Sequence, residues 1–512
     1  MGSLAVAAPL QGAAVLLAAF AAAAVLVLPD GRRRAWAMVL ALAGSAAVIG
    51  TLVGGQVGDI VGRQPALAGA GAAAGLGAVA VTAGLILRRP HLVALLALGA
   101  LPFRVPIPVG DGAANLLVPL YVVVAGGCLA YLLRVLREGA GDEDGGYDDR
   151  SRALVGLERA LAGVLVLYAV QATYSTELSQ AAKNVAFFYV PFAVLFRLAA
   201  DVEWTDQMLR RALGIVAGLA VVFAGIAYYE FATGHLLIPN PKVLAANEAK
   251  PYFRVNSLFF DPNIYGRFVA LAMIVVATVL LWTRRGRTTV VLAAVLAVLW
   301  GGLLLSLSQS SFATLLIGLA VLAALRWRPL PVVAAGVAVA VAGAALVFAF
   351  PGTFGVDKTS EQALNRATAG RVKLTRAGLE MARDRPVWGF GSGSFAERYR
   401  ARERVFSPLA AAESHTIPLT VAAEQGALGL VAYLLLLGSA LRLVFSGVAA
   451  RVRASATPRA VAGVAVAAAF CGLLVHTFGY AAFLEDPLTW ALLAVAAALG
   501  RTRDVPTPDT IG

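Results

Sequence analysis

Apolar residues in this chain fall in long unbroken blocks, and the blocks recur from one end to the other. Runs of about 17 to 25 such residues match the helix length that crosses a ~30 Å hydrocarbon core. A closed β-barrel calls for short alternating segments instead. The pattern predicts helices at roughly 9–28, 36–54, 65–87, 91–103, 115–136, 157–173, 181–200, 209–228, 262–283, 288–306, 311–326, 330–350, 416–446, 460–478 and 483–500. The weakest of these are the short run 91–103 and the pair 288–326, which is divided only by the polar turn Ser306-Leu307-Ser308-Gln309-Ser310-Ser311. About 12 to 15 spans are therefore expected. No charged stretch precedes the first run, so it reads as a span and not as a signal peptide.

The connections between these blocks orient the chain. Arg32-Arg33-Arg34, Arg88-Arg89, Arg134 with Arg137, Arg210-Arg211, Arg284-Arg285 with Arg287, Arg326 with Arg328, Arg451 with Arg453, and Arg501 with Arg503 occupy every second connection. Basic loops accumulate on the cytoplasmic side, so this alternation places the C-terminus inside and residues 229–256 and 351–414 outside. The acidic insert 139–149 falls on the inner side as a solvated loop. The expected fold class is all-α: a polytopic bundle of transmembrane helices in the cytoplasmic membrane, carrying a large extracytoplasmic helical loop.

Composition supports that setting. The chain is 60% hydrophobic and only 14% charged, with mean hydropathy +0.79, far too apolar for a soluble domain. Cys128 and Cys471 both lie inside apolar runs, which supports neither a disulfide framework nor a metal cluster. The net charge of +13 needs no nucleic acid, because most of the excess anchors inner loops beside anionic headgroups. Residues 351–414 are the exception, with eleven Lys and Arg against seven Asp and Glu. A basic surface facing outward favours an anionic ligand.

Within that loop, residues 370–385 read as an amphipathic helix. Lys373, Arg376, Glu380, Arg383 and Asp384 share one polar stripe, whereas Arg371 projects from the opposite face among Leu374, Gly378 and Ala382. It either snorkels to water from the helix end or turns inward as a bidentate phosphate clamp. Pro386 ends the helix, and Gly389, Gly391 and Gly393 allow a tight backbone able to offer N–H groups to an anion, or simply a turn. The loop closes at His415, where a neutral imidazole beside the membrane is suited to removing a proton from a hydroxyl. Glu424 lies inside the next apolar run, either as an intramembrane functional carboxylate or as a hydrogen-bonded packing anchor.

A second outer cluster comprises Phe253-Arg254-Val255-Asn256-Ser257 and Asp261-Pro262-Asn263, with Arg267 just inside the next span. Arg254 there is either an interfacial anchor or a ligand cation, and Asp261-Pro262-Asn263 has the chemistry of a helix start.

In this order the motifs resemble the O-antigen ligase/O-antigen polymerase superfamily of membrane glycosyltransferases. The resemblance rests on residues 253–263, on Leu307-Ser308-Gln309-Ser310, and on Gly370-Arg371 leading into residues 385–393. It continues through His415 and Ala423-Glu424-Gln425-Gly426 to Gly429, covering about residues 250–430. The stretch 102–110 also looks similar to the group. Where the family commonly has an asparagine after the histidine this chain has Thr416, and Gln309 stands where an arginine is common.

The resemblance implies a metal-independent, cofactor-free, inverting transfer of a glycan from a polyprenyl (undecaprenyl) diphosphate carrier to an acceptor hydroxyl at the outer membrane face. The acceptor would be a glycan, a lipid or a protein. Arg254 and Arg371 would bind the diphosphate, His415 would act as base, and Glu424, Arg267, Lys373 and Asn263 would be supporting residues. Residues 1–90 would form an N-terminal transmembrane extension to a core at 91–512 that carries loop 351–414. The alternative is a multi-span solute transporter of the inorganic-carbon type. A transporter would place its ionisable groups near the bilayer midplane on interrupted, repeated helices, whereas the conspicuous charges here lie at the outer rim.

Overall fold

The computed structural model describes residues 2–29, 31–109, 112–138, 151–248, 252–284, 286–327, 371–403, 416–480 and 482–501. The expected span 330–350, the acidic insert 139–149 and His415 lie outside the described residues, as does the side chain of Arg371.

Twelve helices among the described residues are long and apolar enough to cross a membrane, which makes the chain an all-α, multi-pass membrane bundle. In order, α1 is Gly2–Val27, α2 Arg32–Arg63, α3 Pro65–Arg88, α4 Leu92–Ala100, α5 Val118–Glu138, α6 Arg152–Ala172 and α7 Leu178–Asn184. Next come α8 Val190–Ala200, α9 Asp206–Thr233, α10 Pro241–Glu248, α11 Pro262–Trp282, α12 Arg287–Ser306 and α13 Gln309–Arg326. A π turn at Val185–Tyr189 joins α7 to α8 into one crossing. The later helices are Arg371–Asp384, Phe395–Glu403, Ile417–Phe445, Val448–Ala454, Pro458–His476 and Pro487–Gly500.

Two expected spans are shorter than the sequence pattern indicates. Helix α4 has 9 residues and Pro487–Gly500 has 14. At about 1.5 Å per residue neither crosses a ~30 Å core alone. Proline sets the conformation of the chain after α4: Pro106 and Pro108 lack the N–H that a helix would need. Val105–Val109 instead pairs antiparallel with Gly112–Leu116, Val105 opposite Leu116 and Val109 opposite Gly112. This hairpin is the one sheet among the described residues.

Two large buried apolar clusters divide the bundle. One gathers α1, α2, α5, α6, α8 and Pro487–Gly500, and the other gathers α9, α11, α12, α13 and Pro458–His476. Helix α1 packs against α2, α6 and α8, so the first helices share the core of the rest. Their basic end is tied by ions. Buried Arg197 pairs with Glu158 and Asp201, and Asp201 also meets Arg34 of α2 and Arg501 at the chain's far end. Breaking one such buried partner leaves an unpaired charge, which costs about 3–5 kcal/mol.

Helix Ile417–Phe445 is continuous except at Gly426, whose φ of 65° and ψ of −160° break it. Residues 386–391 run alongside the break and bond to it, Phe390 N–H to the Ala423 carbonyl and Gly391 N–H to the Glu424 carbonyl. In return Ala427 N–H donates to the Pro386 carbonyl at 2.7 Å. A Cβ at Gly426 would sit 2.3 Å from the Val387 carbonyl oxygen, and one at Gly389 2.2 Å from that of Glu424.

Replacing Gly426 with alanine forces an L side chain into a region that costs about 1–3 kcal/mol and adds that collision. Gly426→Ala is expected to lower the thermal unfolding temperature of the purified protein. It should also expose residues 386–395 to protease, read by limited proteolysis and mass mapping.

Candidate functional site

Asp261 caps the start of α11 by accepting hydrogen bonds from Asn263 and Ile264 N–H, with Pro262 at the first helical position. That is the helix-start chemistry expected of the motif. It also fixes Asn263, whose Oδ1 accepts from Arg254 Nη2 at 3.3 Å and from Ser308 Oγ at 2.9 Å. Arg254 Nε donates to the Ser306 carbonyl at 3.0 Å. Its backbone is clamped from both sides by Asn247, which accepts from Arg254 N–H and donates to the Arg254 carbonyl.

Half-buried Arg254 is thus held by neutral acceptors, and no carboxylate pairs with it among the described residues. Burial pushes its guanidinium below the ordinary arginine value, with Asp261 and Tyr252 opposing that shift. An arginine still stays charged. Its charge is therefore not neutralised by any carboxylate partner among the described residues.

The turn after α12 builds the neighbouring wall. Leu307 takes a left-handed conformation and Ser308 caps α13. Ser311 Oγ donates to Ser308 Oγ at 2.8 Å, and Ser310 Oγ lies 3.1 Å from His476 Nε2. Gly266 makes this docking possible, since a Cβ there would lie 2.6 Å from Ser311 Oγ. Gln309 is exposed at the tip. A chain of polar side chains thus runs from Arg254 through Asn263, Ser308 and Ser310 to the fully buried His476.

One turn beyond Asn263, Arg267 pairs with buried Asp486 at 2.9 Å and stacks over Tyr480. Arg104 faces the same carboxylate. Arg267 serves here as an ion-paired tie between α11 and the start of Pro487–Gly500.

The outer loop forms the other part. Helix Arg371–Asp384 matches the expectation for 370–385: Lys373 and Arg376 are exposed, and Leu374, Ala377 and Met381 are buried against Phe395, Tyr399 and Ala423. Lys373 pairs with Glu403 at 2.7 Å, and Arg402 bridges Glu380 and Asp384. These pairs fasten it to Phe395–Glu403, a helix the glycine pattern did not announce. The glycine-rich N–H groups do meet an anion, but it is Glu424. Its Oε2 accepts from Gly393 at 2.8 Å and its Oε1 from Phe395 at 3.0 Å. The loop also rests on the end of α6, where Ser392 Oγ donates to the Tyr168 carbonyl and Tyr174 Oη to the Trp388 carbonyl.

Between the loop and the bundle lies a cavity of about 260 Å³ lined by Tyr168, Gln180, Asn184, Arg400, Ile417 and Glu485, among others. Ile417 stands two residues after His415. Its polar wall is ordered, with Tyr189 Oη donating to Glu485 Oε1 at 2.6 Å and Asn184 Nδ2 to Tyr168 Oη at 2.8 Å. Amides, carboxylates and aromatic rings give the lining a mixed polar and aromatic character.

The structure therefore joins Arg254 to Asn263, with Arg267 one turn away, and places Lys373 and Glu424 in the separate assembly of the outer loop. Sequence reading missed His476, Asn247 and Glu230. Buried Glu230 accepts from the N–H groups of Leu237, Asn256 and Ser257 and shapes the loop beside Arg254. Its signal was a carboxylate two residues beyond an expected span.

Residues 294–434 match the family model of O-antigen ligase. The match runs from within α12 through the serine turn and outer loop to the broken helix, and supports the O-antigen ligase/polymerase family and a membrane glycosyltransferase activity of that type. Arg254 and His476 lie outside the matched residues. No curated protein matches the chain.

Replacing Asn263 with alanine removes the shared acceptor of Arg254 and Ser308, and leaving such buried groups unpaired costs about 1–3 kcal/mol. Asn263→Ala is expected to express and insert normally. It should lower the affinity for a diphosphate-bearing donor by roughly tenfold or more, measured by titration of the purified protein.

Proposed function

We propose that this O-antigen ligase-domain protein transfers a glycan from a polyprenyl diphosphate carrier to an acceptor hydroxyl at the outer face of the cytoplasmic membrane. His415 removes the acceptor proton, and the acceptor oxygen attacks the anomeric carbon from the side opposite the diphosphate. The carbon–oxygen bond to phosphate breaks, and the electron pair leaves with the polyprenyl diphosphate. Inversion is the consequence of that geometry. Arg254 and Arg371 take up the negative charge that develops on the leaving group, where a preorganised cation needs no reorganisation during the step. No metal is required for this sequence.

The observation that carries the reading is the way Arg254 is held. An arginine bonded to a carboxylate has spent its charge, as Arg267 has on Asp486. Arg254 has instead a carbonyl and an amide as partners. Its planar guanidinium is oriented yet uncompensated, which is what a bidentate phosphate contact needs. The cavity lined by Ile417, Tyr168 and Glu485 offers the glycan a place with polar groups and aromatic rings.

Reconstitution with a polyprenyl-diphosphate glycan tests this, with products sized on a gel. His415→Ala, Arg254→Ala and Arg371→Ala are each expected to reduce turnover by about 10²–10³-fold with membrane expression intact. Arg254→Lys should rescue little, since a point charge cannot reproduce the fork. Wild-type turnover in any of the three alanine variants would sink the mechanism. A ladder of repeats would mark a polymerase and a single addition to a foreign acceptor a ligase.

A further inference from the structure

At the end of the bundle that carries the basic loops, α3, α4, α5 and α9 surround a cavity of about 810 Å³. Arg89, Arg134 and Arg211 line it together with His91, from the α3–α4 connection, α5 and α9. None of the three arginine side chains has an ion-pair or hydrogen-bond partner among the described residues. Two acids also line it. Asp201 is occupied by Arg197, Arg34 and Arg501, and Glu203 has a partner of its own. A bias of basic residues toward one membrane face explains which end these arginines occupy. It does not explain their convergence on one concave site, where low-dielectric walls focus their field.

The same four helices continue into a second cavity, of about 740 Å³ and almost entirely apolar, lined by Thr82, Gly99, Val122, Gly214, Gly218 and Leu219 among others. From Arg211 to Leu219 and from Arg134 to Val122 the helical rise places this groove roughly 5 to 20 Å deeper than the arginines. That is the depth of acyl chains in one leaflet, which is about 15 Å thick. Glycines keep the groove open: a Cβ at Gly99, Gly214 or Gly218 would meet nothing within 4 Å.

We infer that these stacked cavities form one lipid site, taking an anionic phospholipid with its phosphate headgroup among Arg89, Arg134 and Arg211 and an acyl chain along the Gly214–Gly218 face. Charge complementarity selects the head, and the apolar groove about one turn deeper on the same helices selects a lipid over a soluble phosphate. The site shares no residue with the transfer machinery, so its test is independent of that reaction.

Delipidated full-length protein in detergent is titrated with fluorescent phosphatidylglycerol, with phosphatidylcholine, and with inorganic pyrophosphate as competitor. Phosphatidylglycerol should bind saturably and phosphatidylcholine more weakly, because its ammonium cancels the phosphate charge. The triple variant Arg89→Ala, Arg134→Ala, Arg211→Ala should lose roughly tenfold or more in phosphatidylglycerol affinity. Gly218→Leu should show a comparable loss without any change of charge. Arg32→Ala with Arg33→Ala, exposed at the same end but outside the cavity, should bind as the wild type does. Should the triple variant fail to fold, Gly218→Leu alone decides the point. Undiminished binding in Gly218→Leu, or displacement of the probe by pyrophosphate alone with no dependence on the groove, would overturn the assignment in favour of a free anion or of surface charge.

Discussion

Backbone N–H and C=O groups taken out of water must find partners, and one place in this molecule meets that demand twice over. At Gly426 the helix Ile417–Phe445 gives up its own ladder, and the segment 386–395 takes up the freed groups. The Glu424 carboxylate then accepts two further N–H groups from Gly393 and Phe395. The loop therefore rests on the bundle in two ways, by burial of Leu374, Ala377, Met381 and Phe395 against Ala423 and by this exchange of backbone hydrogen bonds. The two described helices of the loop, Arg371–Asp384 and Phe395–Glu403, flank the segment that makes this attachment.

Charge is distributed by a different logic at the two ends of the bundle. At one end Arg34, Arg197 and Arg501 surround Glu158 and Asp201, and such pairs fix geometry more surely than they add stability. Toward the other end the arrangement thins. Arg267 pairs with Asp486, and Arg254 has only neutral partners. Burial does not separate these arginines into structural and ligand-facing kinds. What separates them is whether a carboxylate has already neutralised the charge.

Much of this was legible in the sequence, because lipid permits few solutions and long apolar runs must be helices. The amphipathic helix in the outer loop was equally readable from its stripe. Lengths failed where sequence sees only hydropathy: residues 91–103 are largely apolar, yet Pro106 and Pro108 turn the next stretch of chain into a hairpin. Gly389, Gly391 and Gly393 could be read as a cradle for an anion or simply as a turn. Gly389, Gly391 and Gly426 instead mark where two backbones nearly touch. Glu424 was open to either role, and only the three-dimensional partner of its two oxygens distinguishes an anchor from a reactive group. His476 had no sequence signal at all, since its meaning depends on Ser310, 166 residues away.

The two buried apolar clusters put these parts in order. The serine turn, Arg254 and His476 crown the cluster built on α11 and α13, whereas the loop helices and the cavity beneath them rest on α6 in the other cluster. A single dipeptide reaches into both: Glu485 lines the cavity and bonds to Tyr189, and its neighbour Asp486 pairs with Arg267. Consecutive residues cannot move far relative to each other, so the polar wall of the cavity and the arginine-bearing start of α11 are held in fixed register across the bundle. A transferase of the proposed kind needs that coupling, because leaving group and acceptor must be aligned to within a fraction of an ångström while both enter from the membrane plane. The short helix Pro487–Gly500, too short to cross the bilayer, thereby has a reason for its length: its first residues belong to the joint between the two halves.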